Sequence, residues 1–385
     1  MSDGHPPIPL ARVVISEDAI AAAMATLRSG WPGPGREVLD FEDEFAAATG
    51  AAEVIATSSG TAALELALAL LALPAGAEVV TTPITFVATN HAVVRAGLVP
   101  VFADIDRRTG NVDAGSVASR IGHRTAAIVV VHYAGRPCDL DEIHDLASRH
   151  GVPVIEDCAH AAGATYRGAP IGSTHNGLCA FSFQATKNMT AVDGGALCLP
   201  DGGVPGLDTP VPDAADRARR LRWMGIDRST YERHTDDGYQ WDYDVTEIGF
   251  RATMSDLNAA MARVGLKELP AVNARRSEIA ARYRDGLEGI DGVEALASPD
   301  DRTSSHHLFP VLTDERDRCL DHLRRHGIGG GVHYRSNDRF SVYDLAPVPE
   351  AHWFADHVLS LPMYPGLSDD DVDRVLDVLR TYPAG

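Results

Sequence analysis

The 385-residue sequence predicts an α/β protein: a mostly parallel central sheet covered by helices, followed by a smaller carboxyl-terminal α+β part. Three observations predict it. Between Val54 and Ile155, short apolar runs alternate with segments of helical spacing, the pattern of strands buried on both faces. The chemically suggestive residues of that stretch (Ser59-Gly60-Thr61, Thr82, Asp104, His132, Asp157) all fall at the carboxyl ends of the runs, the edge where open α/β sheets bind ligands. Beyond the long helical region that follows Met254, the rhythm changes to an irregular mixture of strands and helices.

Ser16, with Glu17, Asp18 and an alanine-rich run behind it, predicts an N-capped helix to about Leu27. Ser29 to Gly35 is rigid and turn-rich, and its Trp31 reads either as an anchor or as part of a plain connector. Arg36 to Thr49 carries Val38, Phe41, Phe45 and Ala48 at helical spacing, and Gly50 stops it. A strand over Val54–Thr57 leads through Ser58-Ser59-Gly60-Thr61 into a helix over Ala62–Leu73. Strands then follow at Glu78–Thr81, Val99–Ala103, Ala126–Val131 and Pro153–Ile155, with helices over Phe86–Ala96 and Leu140–Arg149. Phe181–Phe183 ends one buried strand and Ala196–Leu199 forms another, with Lys187 in the polar turn between them.

Pro200 to Pro212 is a surface excursion rich in Gly, Pro and Asp, and Asp213–Met224 has a helical run of arginines. Tyr231–Tyr243 reads as a long loop. Thr253 or Ser255 caps a helix to Leu269, Pro270 breaks or kinks it, and a further helix extends to Leu287. The last hundred residues predict strands at His307–Leu312 and Gly331–Tyr334, and helices at Arg316–His326, Ala351–Leu359 and Asp369–Leu379. Residues 1–255, with an amino-terminal arm, are expected to form the large unit and 256–385 the small one.

Charged residues are 23% of the chain and hydrophobic ones 45%, an ordinary globular composition. A formal net charge of −20 argues against nucleic acid or an anionic membrane as partner. The five cysteines form no CxxC pair and read as small hydrophobes in a reducing compartment. Met1–His5 has no basic region leading into an apolar core. Ala62–Leu73, which carries Glu65, is too short to span a bilayer, so a cytoplasmic protein is the default.

The chemistry centres on Lys187. A lysine between two buried strands is costly unless its amine is used, although its stem can also carry the ammonium out to water. Upstream, Val154-Ile155-Glu156-Asp157 ends in a carboxylate, with His160 three positions on. A lysine that forms an imine and an aspartate that pairs a pyridinium nitrogen are what a pyridoxal phosphate site needs from protein. Asp157 reads alternatively as a helix cap or salt-bridge partner, and His160 as a packed structural histidine. Ser59-Gly60-Thr61 before a long helix has the physics of a phosphate cup, but also of an ordinary N-cap, and Ser182 is a second phosphate candidate. Phe86 reads as an aromatic lid or as a core side chain. No Walker sequence, GxGxxG, HExxH or GxSxG is present. The scattered histidines give no metal spacing, and Asp157, Cys158 and His160 are too close in sequence to form a working triad.

These residues sit in runs that resemble the DegT/DnrJ/EryC1/StrS family of sugar aminotransferases, of fold type I of the pyridoxal phosphate enzymes. The resemblance is carried by Ser29-Gly30-Trp31, Phe41-Glu42, Ser59 to Leu64, Thr85 to Thr89, Pro100 to Asp106, Val154 to Asp157 and Gly163 to Tyr166. It continues through Phe181-Ser182-Phe183, Thr186-Lys187-Asn188, Gly194-Gly195, His307-Leu308-Phe309, Gly331 to Tyr334 and Leu359 to Pro362. It implies that Lys187 carries the cofactor as an internal aldimine and Asp157 pairs its nitrogen. Gly60, Thr61 and Ser182 would hold the phosphate, Phe86 would stack on the ring, and His160 would stand where glutamine or histidine is common. A homodimer with shared active sites is implied, the partner completing the phosphate site through the segment Gly249–Ser255. This chain has Arg251 and Thr253 there in place of the frequent asparagine, and Asp193 in place of the usual glutamate before the paired glycines.

Family members that replace the lysine with histidine are dehydratases, so Lys187 favours transamination. Glutamate or glutamine would donate, and a keto sugar (nucleotide-linked) or a cyclitol ketone would accept, in a ping-pong cycle through pyridoxamine phosphate. Gln184, Arg251, His333 and Tyr334 are the candidate substrate contacts. Other carbanion chemistry on the same scaffold, and a non-catalytic regulator that kept the fold, are the competing readings.

Overall fold

The computed structural model describes residues 6–173, 177–207, 209–235, 238–343 and 345–383. The expectation drawn from Met1–His5 lies outside the described residues. A seven-stranded sheet organises the chain: β1 (Glu53–Thr57), β2 (Glu78–Thr81), β3 (Val99–Phe102), β4 (Thr125–Val131), β5 (Val154–Asp157), β6 (Leu178–Ser182) and β7 (Gly195–Leu199). Their spatial order is β1-β7-β6-β5-β4-β2-β3, and β7 alone runs antiparallel to its neighbours. The mostly parallel α/β expectation holds.

The strands alternate as a sheet covered on both faces requires. Ile128 and Val130 of β4 pack with helices α2 (Arg36–Thr49), α5 (Ala114–Arg120) and α6 (Leu140–His150). Ala127 and Val129 face α3 (Gly60–Leu71), α4 (Ala88–Arg95) and α7 (Val211–Arg222). On the α2 side, Phe41 and Phe45 meet Phe181 and Phe183 at ring-centroid distances of 5.1–5.4 Å, all fully buried. Each such ring contributes about 1.5–3 kcal/mol by burial. Because Phe181 and Phe183 take that face, Ser182 between them is turned to the other, towards the start of α3.

Helix α1 (Glu17–Arg28) is capped by Ser16, whose hydroxyl accepts from the Ala19 amide at 3.2 Å. Helix α2 keeps its expected limits because Gly50 takes the left-handed φ of 74° that ends it. Three expectations are corrected. Pro270 does not break its helix: α8 runs unbroken from Asp256 to Leu287. Pro270 sits on the exposed face, where the carbonyl freed by the missing N–H can turn to water. Gly331–Tyr334 is no strand, since only a single bridge joins Gly331 to Ser360. The helix expected over Ala351–Leu359 ends at His357, and Val358–Leu361 is a strand.

That strand belongs to a second sheet, of β8 (Glu294–Ala295), β9 (Phe309–Leu312) and β10 (Val358–Leu361), in the order β8-β9-β10. Helices α9 (Arg316–Arg325) and α11 (Asp369–Arg380) bury Leu323, Val375 and Leu379 against it, and α10 (Pro349–His357) packs beside Tyr133. Helix α8 serves both regions: Ala259, Ala262 and Leu269 lie in the core beneath the large sheet, Ile279, Ala280, Tyr283 and Leu287 in the second core. Ile8, near the amino terminus, is buried in that second core too and bridges Ile328. Among the described residues no helix is long and apolar enough to cross a membrane.

Candidate active site

The carboxyl ends of β1, β5 and β6 converge. At β1, Ser59 caps α3: its hydroxyl accepts from the Ala62 amide at 3.1 Å and its carbonyl from that of Ala63 at 3.1 Å. The first two helical amides, of Gly60 and Thr61, are left at the positive helix end. Ser182 adjoins them, since a Cβ placed on Gly60 would lie 2.7 Å from that of Ser182. Behind the cup, Gly195 admits no side chain: a Cβ there would lie 2.4 Å from the Ser59 carbonyl oxygen. The antiparallel register that pairs Gly195 with both Thr57 and Ser182 fixes this arrangement. Gly60, Thr61 and Ser182 thus lie together at this end of the sheet.

Asp157 ends β5 buried, on the same face as Ser182. Its Oδ2 accepts from the Thr89 hydroxyl at 2.7 Å and its Oδ1 from the Ala159 amide at 3.0 Å. Lys187 lies in the loop after β6, its amide donating to the Gln184 carbonyl at 2.8 Å. The next residue, Asn188, pins that loop: its Nδ2 donates to Asn273 Oδ1 at 2.8 Å and to the Ser305 carbonyl at 2.6 Å. Burial pushes the Lys187 pKa down to about 8, while the Asp157 carboxylate pulls the other way.

Three histidines and a tyrosine close the cleft. Tyr334 Oη lies 3.1 Å from His160 Nε2, and the His160 ring rests on His307 with centroids 4.3 Å apart. His333 Nδ1 lies 2.9 Å from Ser360 Oγ. Burial first, then the Lys187 charge, holds the pKa of His333 down to about 4 and that of His160 well below the usual range. All three imidazoles therefore stay neutral at pH 7. Burial and the nearby Asp157 raise the Tyr334 phenol. His160 Nδ1 is buried without a hydrogen-bond partner. Phe86 is 61% exposed and precedes α4 rather than lying in it, contrary to the helix expected from Phe86.

Gln184, Thr253 and Arg251 are engaged by neighbours within the single chain. Gln184 turns its Oε1 back to the Thr186 amide and hydroxyl at 3.0 and 2.8 Å. Thr253 bridges Thr57 on the outer edge of β1, and exposed Arg251 stacks on Trp223 at 4.2 Å. Sequence reasoning missed Thr89, Asn188 and His307 as members of the site. All three lay inside runs that carry the family resemblance, the only sequence signal available for them. Immediately beneath, His132, Glu156 and Cys158 bring three metal-type donors within 4.8 Å of one another. Their hydrogen bonds account for them: Glu156 is bonded by His132 at 3.0 Å and His144 at 3.1 Å, and His132 Nδ1 accepts from the Cys138 amide.

The residues fit a phosphorylated pyridoxal: an anion cup of open amides and hydroxyls, a lysine of lowered pKa, a buried carboxylate, and the orphaned His160 Nδ1. Comparison with known proteins agrees. The profile of the DegT/DnrJ/EryC1/StrS aminotransferase family matches residues 13–380. The chain is 36% identical over 391 residues to the spore coat polysaccharide biosynthesis protein SpsC of Bacillus subtilis, covering 98% of this chain and 97% of that one. Its fold is similar to the sugar aminotransferase CalS13 of Micromonospora echinospora, at TM-score 0.87 and 35% identity over 97% of this chain and 99% of that chain. It is also similar to Spr1654 of Streptococcus pneumoniae, solved in PLP and PMP forms, at TM-score 0.89 and 28% identity. That match covers 98% of this chain and 97–98% of those chains.

Proposed function

The chain belongs to the DegT/DnrJ/EryC1/StrS aminotransferase family, and on that premise we propose that it is a pyridoxal-phosphate-dependent aminotransferase acting on a sugar. More finely, it moves an amino group from glutamate or glutamine to a keto sugar, nucleotide-linked, in two half-reactions, as a homodimer with shared active sites. One observation carries the reading: a lysine with its pKa held down to about 8 faces a buried carboxylate beside an anion cup.

When bound, pyridoxal phosphate supplies the aldehyde that takes up the amino group and the ring that spreads the charge left on the substrate carbon. The chain supplies the rest. Gly60, Thr61 and Ser182 bind the phosphate through amides and hydroxyls. Asp157 holds a proton on the ring nitrogen. Lys187 Nζ, its pKa lowered to about 8, would anchor the group and, when freed, would carry the proton from the substrate carbon to the cofactor carbon that keeps the nitrogen. Burial holds the pKa of His160 well below the usual range and that of His333 down to about 4, so both are weaker bases than Lys187, the group that would take the transferred proton.

The test is spectroscopic. With added cofactor the protein develops a Schiff-base band near ~420 nm, glutamate or glutamine bleaches it, and a nucleotide-linked keto sugar restores it. Restoration by a cyclitol ketone alone would move the acceptor to that class. Loss of water from the sugar without amination would assign dehydratase chemistry. Lys187→Ala folds but shows neither band nor turnover; a band that persists in that variant refutes the assignment of Lys187.

A further inference from the structure

Asp157 has a hydroxyl relay behind it that the reaction as outlined does not use. Thr89 Oγ1 lies 2.7 Å from Asp157 Oδ2 and also 2.7 Å from Thr85 Oγ1, and all three side chains are buried. A threonine has one hydroxyl hydrogen. The ionised carboxylate is the stronger acceptor for the Thr89 hydrogen; the Phe86 carbonyl, at 3.3 Å, is the poorer one. Thr85 must then donate to Thr89, and the two O–H dipoles line up towards the carboxylate. The relay is held from both ends. Thr89 is the second residue of α4, and the Thr85 carbonyl accepts from Asn337 Nδ2 at 2.8 Å, which also donates to the Pro83 carbonyl at 2.8 Å. No lysine or arginine is hydrogen-bonded to Asp157 among the described residues. Its orientation rests on the Thr89 hydroxyl and the Ala159 amide, and the remaining lone pairs of each oxygen are free to face the site.

We propose that Thr89 is a positioning residue that acts on the ring nitrogen of the cofactor through Asp157, with Thr85 ordering the Thr89 hydroxyl. The proposal rests on the reading of Asp157 as the partner of that nitrogen. It assigns a role to Thr85-Phe86-Val87-Ala88-Thr89 beyond the phenylalanine. The segment orients, from the turn that opens α4, the carboxylate meant to act on the ring nitrogen.

Binding separates this role from a merely structural one. The probes are pyridoxal 5′-phosphate and its analogue with carbon in place of the ring nitrogen, each titrated into cofactor-free protein and followed by absorbance. Thr89→Val should weaken pyridoxal phosphate roughly tenfold, the worth of a charge-assisted hydrogen bond, and leave the carbon analogue unchanged. Thr89→Ser should restore affinity, and Thr85→Val should give a smaller loss of the same kind. Undiminished binding of the carbon analogue reports in the same sample that the variant is folded. Asp157→Asn is the control for the underlying reading. If it discriminates between the two probes while Thr89→Val weakens both alike or neither, the relay has no role and the proposal falls alone. If Asp157→Asn does not discriminate, the nitrogen-partner reading fails and takes the relay with it.

Discussion

An ammonium is most stable in water, and Lys187 is partly withdrawn from it. Its pKa falls from the ordinary 10.5 to about 8, so between those values the folded chain binds fewer protons than the unfolded one. Stability therefore rises with pH across that window, and below pH 8 the buried charge is a standing cost. Cofactor-free Lys187→Met should melt at a higher temperature than the parent at pH 7, with the gap closing as pH rises from 8 to 10.5. A gap that stays constant over that range would show that the lysine is not desolvated. Lys187 and Asp157 were legible from their positions at strand ends. Thr89 was not, because its hydroxyl meets a carboxylate 68 residues away and only the fold brings the start of α4 to the end of β5. Arg251 and Thr253 were named for a contact with another subunit; within one chain they lie along the outer edge of β1.

At the scale of elements, β1 is the last strand at one edge of the large sheet, buried from Val54 to Thr57, and two side chains bond it where a further strand would pair. Glu42 Oε1 accepts the Ala56 amide at 2.8 Å, Arg222 Nη1 donates to the Ala56 carbonyl at 2.7 Å, and the two side chains pair with each other. Removing one partner of a buried pair costs about 3–5 kcal/mol; Arg222→Ala should fall near 3, since the arginine keeps some contact with water. Urea denaturation measures it, and replacing both residues with apolar ones of similar size should cost less. A strongly additive double mutant would argue that the two act on β1 separately.

Most elements were readable where period and punctuation agreed, as in α2 with its apolar stripe and terminal Gly50. The misreadings have physical causes. Ala351, Phe354, Ala355 and Val358 keep helical spacing across the end of α10, so the stripe runs on into residues that the second sheet claims as β10. Gly331–Tyr334 has strand-like composition, yet only one bridge holds it to β10. At Pro270 a local rule gave way because its cost falls on the solvent side of a long packed helix.

On the whole molecule, the stretch from Tyr239 to Ile248 leaves Tyr239, Trp241, Tyr243, Val245 and Ile248 open to water, with Ile248 94% exposed. A run of that kind on a chain of net charge −20 calls for a cover. The proposed homodimer supplies one. Light scattering should show two chains per particle, and Trp241→Asp with Ile248→Asp should raise the dimer dissociation constant by roughly tenfold or more, as for buried aromatic anchors. A parent protein that stays monomeric at high concentration would remove the shared-site reading and leave the single-chain site standing.

The burial of Ile8 beside Phe309, Ile328 and Leu359 also sets an order of events during synthesis. Ile8 precedes these partners by some three hundred residues, so during synthesis its segment must wait, solvated, while they are added. The large sheet can be complete before that happens. The arm that runs on from Ile8 through Arg12 to Ser16, along the outside of the Lys187 loop, is then among the last parts to settle. A nascent chain arrested after β7 should accordingly leave those first residues open to a protease that the finished protein resists.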